Sequence, residues 1–153
     1  MGVDSMSTDF TNPKSAKSWT LDGSPKKMPA LKFGYDAEKK VFVVDNNEKN
    51  LRACFKYRGP FLDAKKGDVI HVSIEVCGQG EAYLTYECFN GSKWTCMGDP
   101  SRKFQLKPEW TKIEADLVVK DGKLPTNKVM MDFVVMGSGK MMIRSYSAAK
   151  AVK

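Results

Sequence analysis

The sequence predicts an all-β protein, an antiparallel two-sheet β-sandwich of jelly-roll type, and three observations lead there. Apolar residues recur at every second position in one segment after another, which is the period of a half-buried strand. The segments are short and separated by clusters of Gly, Pro, Asn and Asp, residues that turn the chain. No stretch carries the 3.6-residue period of an amphipathic helix, so a parallel sheet with helical crossovers is not expected.

Each element follows from its own residues. Residues 1–13 are small, polar and aperiodic and predict a flexible N-terminal lead-in, with a single β-sandwich domain over 14–150. A short strand is expected near Trp19, then strands over 40–44 (KVFVV) and 51–57 (LRACFKY). In 68–77 (DVIHVSIEVC), Ile70, Val72, Ile74 and Val76 share one face and Val69, His71, Ser73 and Glu75 the other. Strands follow over 81–89 (EAYLTYECF), 93–97, 103–106, 111–120 (TKIEADLVVK), 128–136 (KVMMDFVVM) and 140–146 (KMMIRSY). Asn90-Gly91, Gly78-Gln79-Gly80 and Gly137-Ser138-Gly139 read as turns between them, because these residues tolerate positive φ.

Composition narrows the function classes. With 42% hydrophobic and 28% charged residues, the chain has the apolar content of a globular domain and lacks the signature of disorder. No apolar run approaches the ~18 residues needed to cross a bilayer, so no membrane partner is expected. Twenty-five Lys and Arg against eighteen Asp and Glu give a net charge of +7, and the lysines are spread along the chain. Pairs such as Lys26-Lys27, Lys39-Lys40 and Lys65-Lys66 read as solvated turn charge, so nucleic acid is not the expected partner.

The four cysteines, Cys54, Cys77, Cys88 and Cys96, lack CxxC spacing, and with one histidine they predict no zinc site. Two disulfides or four small buried hydrophobes are both compatible with them. Cys88 and Cys96 flank the Asn90-Gly91 turn and are the pair best placed to bridge. His71 lies mid-strand, no GxSxG motif is present, and no catalytic residues are assigned, so the chain is not expected to be an enzyme.

From Lys66 onward the succession KGDVIHVSIEVCGQGEAYLTYECF, FQLKPEWTKIEADLVV and NKVMMDFVVMGSGKMMIRSYS resembles the jelly-roll carbohydrate-binding modules of the galactose-binding-like fold. The resemblance covers about the last two thirds of the chain, with Ser18-Trp19-Thr20-Leu21 as a first strand. It implies a non-catalytic module that binds an oligo- or polysaccharide, an extracellular or cell-surface location, and a covalently linked or partner glycoside hydrolase. Such modules often end in an acidic strand, whereas here Ile143 is followed by Arg144-Ser145-Tyr146. That departure argues against calcium on the last strand, Asp45-Asn46-Asn47 reads as a turn, and no cofactor is expected.

A sugar offers C–H faces and hydroxyl edges, so its site needs aromatic planes and planar hydrogen-bonding groups. Residues 83–94 hold such a set. If Ala82, Leu84, Tyr86 and Cys88 face the core, then Tyr83, Thr85, Glu87 and Phe89 line the opposite face. Tyr83 and Phe89 read either as ligand contacts or as a covered minor core, and Trp94 either as a platform or as packing across the hairpin. Arg52, Lys56 and Arg58 form a basic strip, either a solvated sheet face or a partner to Glu87 and Tyr83. Asn90 at the turn and Arg144 from the last strand complete the candidates. Trp110, at a strand entrance, reads as core. The alternative function is a β-sandwich interaction domain that binds protein or a polyanion through a basic surface.

Overall fold

The computed structural model describes residues 2–22, 31–46, 52–136 and 139–151. Its strands are β1 (Ser5–Asp9), β2 (Trp19–Asp22), β3 (Leu31–Asp36), β4 (Val41–Asn46), β5 (Arg52–Tyr57), β6 (Leu62–Asp63), β7 (Val69–Gly78), β8 (Glu81–Asn90), β9 (Lys93–Met97), β10 (Phe104–Gln105), β11 (Thr111–Val118), β12 (Lys128–Met136) and β13 (Gly139–Lys150). Among the described residues the only helical element is a 3-10 turn at Ser15–Ser18. Two antiparallel sheets result. The first runs β10-β8-β12-β5-β2, with β9 added to β8 and β6 to β12; the second runs β11-β7-β13-β4-β3, with β1 added to β13.

The expected alternation holds where one face is wet. On β7, Ile70, Val72, Ile74 and Val76 are buried between the sheets while His71 is exposed. Strands β8 and β12 differ, because nearly every residue in both is buried. The shared core is rich in aromatic rings. Trp19 packs against Phe10, Tyr57, Phe133 and Tyr146 with centroids 4.8–5.8 Å apart, and Phe55 stacks on Phe133 at 4.9 Å. Each buried ring of this kind contributes about 1.5–3 kcal/mol by leaving water. The Trp19 indole N–H keeps a partner by donating to Thr8 Oγ1 at 3.0 Å.

Several expectations are corrected. Residues 5–9 are not a flexible lead-in: β1 pairs with β13 in register Ser5↔Ala149 to Asp9↔Ser145, and Phe10 is fully buried in the core. Strands β3 and β6 were not anticipated, the 103–106 strand shrinks to two residues, and the last strand extends to Lys150. The glycine turn after β7 is not a hairpin, because β7 and β8 belong to different sheets. Gly78 has φ 133°, and a Cβ there would overlap the Lys140 carbonyl, so the crossover needs glycine. Strands β12 and β13 likewise belong to different sheets; Gly137-Ser138 between them lies outside the described residues, as do Lys26-Lys27, Asn47 and Leu51. Asn90-Gly91 does form a hairpin, with Gly91 at φ 60°.

Trp110 is half-buried, lying against the Arg144 guanidinium at 4.5 Å, and is not part of the core. All four cysteines are free thiols.

Candidate functional site

The register of the first sheet determines what its outer face carries. Directly opposed residues share a face, so Thr85, Asp132, Lys56 and Thr20 form one row across β8, β12, β5 and β2. Tyr83, Val134 and Cys54 form a second row, and Glu87 with Met130 a third. The sequence assignment of Tyr83, Thr85 and Glu87 to the outer face is therefore correct. Of the two readings of Tyr83, the covered minor core is the one found, and Thr85 and Glu87 are covered with it. Tyr83, Thr85 and Glu87 are all buried, and Tyr83 joins Cys54, Val134 and Met136 in a small second apolar cluster.

Burial of Glu87, only 3% exposed, is offset by its partners. Lys56 Nζ lies 3.3 Å from Oε1 and 3.2 Å from Oε2, and the Trp94 indole N–H donates to Oε1 at 2.9 Å. Next to this pair sits Asp132, with no exposed surface. Burial, and then the adjoining Glu87 carboxylate, push the Asp132 carboxyl up to about 9. Asp132 therefore stays protonated at neutral pH, and among the described residues no donor reaches its Oδ1. The Cys54 thiol donates to Asp132 Oδ2 at 3.6 Å, and burial raises the pKa of that thiol strongly.

Around this closed floor stand the groups that reach solvent. Trp94 on β9 is 50% exposed, with its N–H already engaged by Glu87. Arg52 donates from Nε to the Tyr83 hydroxyl at 2.8 Å, with its guanidinium 5.9 Å from that ring. Arg58 donates from Nε to Thr20 Oγ1 at 2.9 Å and approaches the Met130 sulfur at 3.8 Å. Both arginines are exposed, and each is held through Nε, which fixes the plane of its guanidinium. Phe89 is half-buried and packs on Phe61 with centroids 4.8 Å apart.

Two candidates leave the site. Asn90 braces the hairpin: its Nδ2 donates to the Pro125 carbonyl at 2.8 Å while Gly91 N–H donates to Asn127 Oδ1 at 2.8 Å. Arg144 lies in the second sheet, because β13 crosses to it, and pairs there with Glu75 at 2.7 and 2.8 Å. Of the eight candidates, Trp94, Glu87, Tyr83, Arg52 and Arg58 converge on one face, with Phe89 at its margin. Sequence reasoning missed Asp132. Its signal was a single acid in the otherwise apolar VMMDFVVM of 129–136, at a position facing Thr85 once the strands pair.

Among the described residues, no cluster of three or more His, Cys, Asp or Glu is arranged to hold a metal ion. Asp45 pairs with Lys140 at 3.6 Å. On the second sheet, His71 sits between Asp116 at 2.8 Å and Glu114 at 3.3 Å, and these contacts raise its pKa.

The sequence matches no family model and no curated protein. Solved structures do match. The CBM22-1 xylan-binding domain of Xyn10C from Paenibacillus barcinonensis superimposes with a TM-score of 0.63 at 13% identity, covering 99% of this chain and 97% of that one. The apo CBM1 of BiXyn10A gives 0.62 at 15% identity over 99% and 100%. The enzymatically active domain of tailspike protein 4 from bacteriophage CBA120 gives 0.61 at 12% identity, over 94% of this chain but 20% of that one. The first two cover nearly their whole length, and the protein thus has the β-sandwich fold of carbohydrate-binding modules.

Proposed function

We propose that the protein is a non-catalytic carbohydrate-binding module whose outer face on the first sheet holds a glycan by stacking on Trp94 and by hydrogen bonds from Arg52 and Arg58. One observation carries this reading. Trp94 keeps half its surface in water, yet its indole N–H is tied to a buried carboxylate, so the ring is a fixed flat surface that the fold does not use as core. A prepositioned plane of this kind loses little freedom when a sugar stacks on it. Glu87, Asp132, Lys56 and Tyr83 act beneath the ligand, as the mount that holds Trp94 and Arg52 in place.

The resemblance in fold to a domain described as xylan-binding makes xylan the first polysaccharide to try. In this reading the module works outside the cell, attached to or accompanying a glycoside hydrolase, and raises the enzyme's effective concentration at its substrate. A second reading is favoured by the exposed Arg52, Arg58 and Lys93: a polyanion bound through charge.

A glycan array followed by calorimetry at two salt concentrations separates them. Neutral-sugar binding holds its affinity as salt rises, whereas a phosphate- or sulfate-bearing polymer loses it steeply. No binding to any neutral or uronic-acid glycan overturns the first reading.

A further inference from the structure

Cys88 and Cys96 lie directly opposite each other on β8 and β9, at the root of the hairpin that carries Trp94. Directly opposed residues on antiparallel strands are about 4.5–5.5 Å apart at Cα, inside the range a disulfide spans. Both face inward. Cys88 is part of the main core, where its thiol donates to the Lys120 carbonyl at 3.4 Å, and Cys96 packs against that core. The remaining cysteines have no such mate: Cys54 faces Val134 on the outer side of the first sheet, and Cys77 faces Met142 on the second. Gly122 packs closely over the pair: a Cβ there would come to 3.0 Å from Cys96 Sγ, so the backbone lies on that side with no side chain between.

We propose that Cys88 and Cys96 are a thiol pair that closes to a disulfide, stapling the hairpin under Trp94. The oxidant is a small-molecule disulfide of the oxidised glutathione class. Cys96, which is partly exposed, is the sulfur it reaches first. The Cys96 thiolate attacks the small disulfide, forms a mixed disulfide and releases one small thiolate. Cys88 then loses its proton and attacks the Cys96 sulfur, expelling the second small thiolate. Two protein thiols are oxidised and one disulfide is reduced to two thiols. The second step is the slow one, because burial pushes the Cys88 thiol up to about 11.

The consequence is mechanical. Register shifts between Cys88 and Phe89, leaving an irregular step in the ladder next to the pair. Trp94 lies two residues before Cys96, and its partner Glu87 lies one before Cys88, so the bond spans both halves of the indole's mount. This staple goes beyond the glycan reading and stands or falls separately from it.

The folded protein is incubated with excess oxidised glutathione, quenched with an alkylating reagent and mapped by peptide mass spectrometry. The expected product has lost two hydrogens, links Cys88 to Cys96, and carries alkyl groups on Cys54 and Cys77 alone. A Cys88→Ala variant is expected to stop at glutathione on Cys96. In wild-type protein, which does not depend on that variant folding, amide exchange over residues 89–95 is expected to slow by about tenfold or more on oxidation. Four recovered thiols, a bond that includes Cys54 or Cys77, or unchanged exchange in the oxidised protein overturns the proposal.

Discussion

The two outer faces of the sandwich are built from similar residue types and obey different energetics. On the second sheet, Glu114, Ser73, Ser147 and Ser7 form one row and Asp116, His71, Ala149 and Ser5 the next, and most of these side chains are exposed. Its ion pairs, Lys112–Glu114 at 3.5 Å and His71–Asp116 at 2.8 Å, are solvated and screened. On the first sheet, Lys56, Glu87 and Asp132 have been taken largely out of water, where each charge must be matched or neutralised. The same chemistry is decorative on one face and structural on the other.

The largest effect that separates them is expected from Lys56→Met. It leaves the buried Glu87 carboxyl beside Asp132 with its cation gone, and breaking a buried pair in this way costs about 3 kcal/mol or more. Denaturant titration at neutral pH measures the loss, and a change below 1 kcal/mol means that Glu87 is better hydrated than its burial implies.

Next comes a pH effect. Asp132 keeps its proton in the folded state up to about 9, while in the unfolded chain it loses it near the ordinary carboxyl value of 3.8. Between those values the folded state binds the extra proton, so this group's contribution to stability is full below about 4, falls as pH rises, and is gone above about 9. Asp132→Asn, which stays neutral at all pH, is expected to gain on wild type between pH 5 and pH 8 and to run parallel to it above about 9. Denaturation midpoints of both proteins across that range check it. Parallel curves from pH 5 upward would mean that Asp132 is ionised in the fold.

How much of this contrast the sequence carries depends on the element. Period-two alternation marks β7 and β11 because each has one wet face, and it fails on β12, where Val129, Met130, Met131, Val134 and Val135 are buried on both sides. β1 was missed because Ser5, Ser7 and Thr8 are small and polar; its inward Met6 and Thr8 are recognisable only once β13 is beside them. In the site, Trp94, Glu87 and Tyr83 are readable from one hairpin. Asp132 and Lys56 meet them only through the order β8-β12-β5, which no local pattern encodes. Arg144 was misplaced for the converse reason, since the switch of sheets between β12 and β13 moves it to the opposite side of the sandwich.

Trp94→Ala tests the first face at its exposed rim. The indole's exposed half contributes nothing to the core, so the stability cost is expected to be about 1 kcal/mol, mostly from baring Glu87 Oε1. Binding to the glycan identified by array should fall at least about tenfold, the scale of one lost aromatic contact. A large fall in thermal midpoint with affinity unchanged would assign Trp94 to packing.

Smallest of all should be Asp116→Asn on the second sheet. His71 lies between Asp116 and Glu114, and hydrogen bonds to both, Asp116 first, raise its pKa above the ordinary imidazole value of 6.5, so the pair contributes stability below about 6.5 that fades as pH rises through the raised value. Both partners are about half exposed or more, and removing one carboxylate is expected to shift stability by less than about 1 kcal/mol at pH 5.5 and by nothing measurable at pH 8.5. Chemical denaturation at the two pH values reads the difference directly. A loss as large as that of Lys56→Met would mean that the second face is as desolvated as the first, and the distinction between the two faces would collapse.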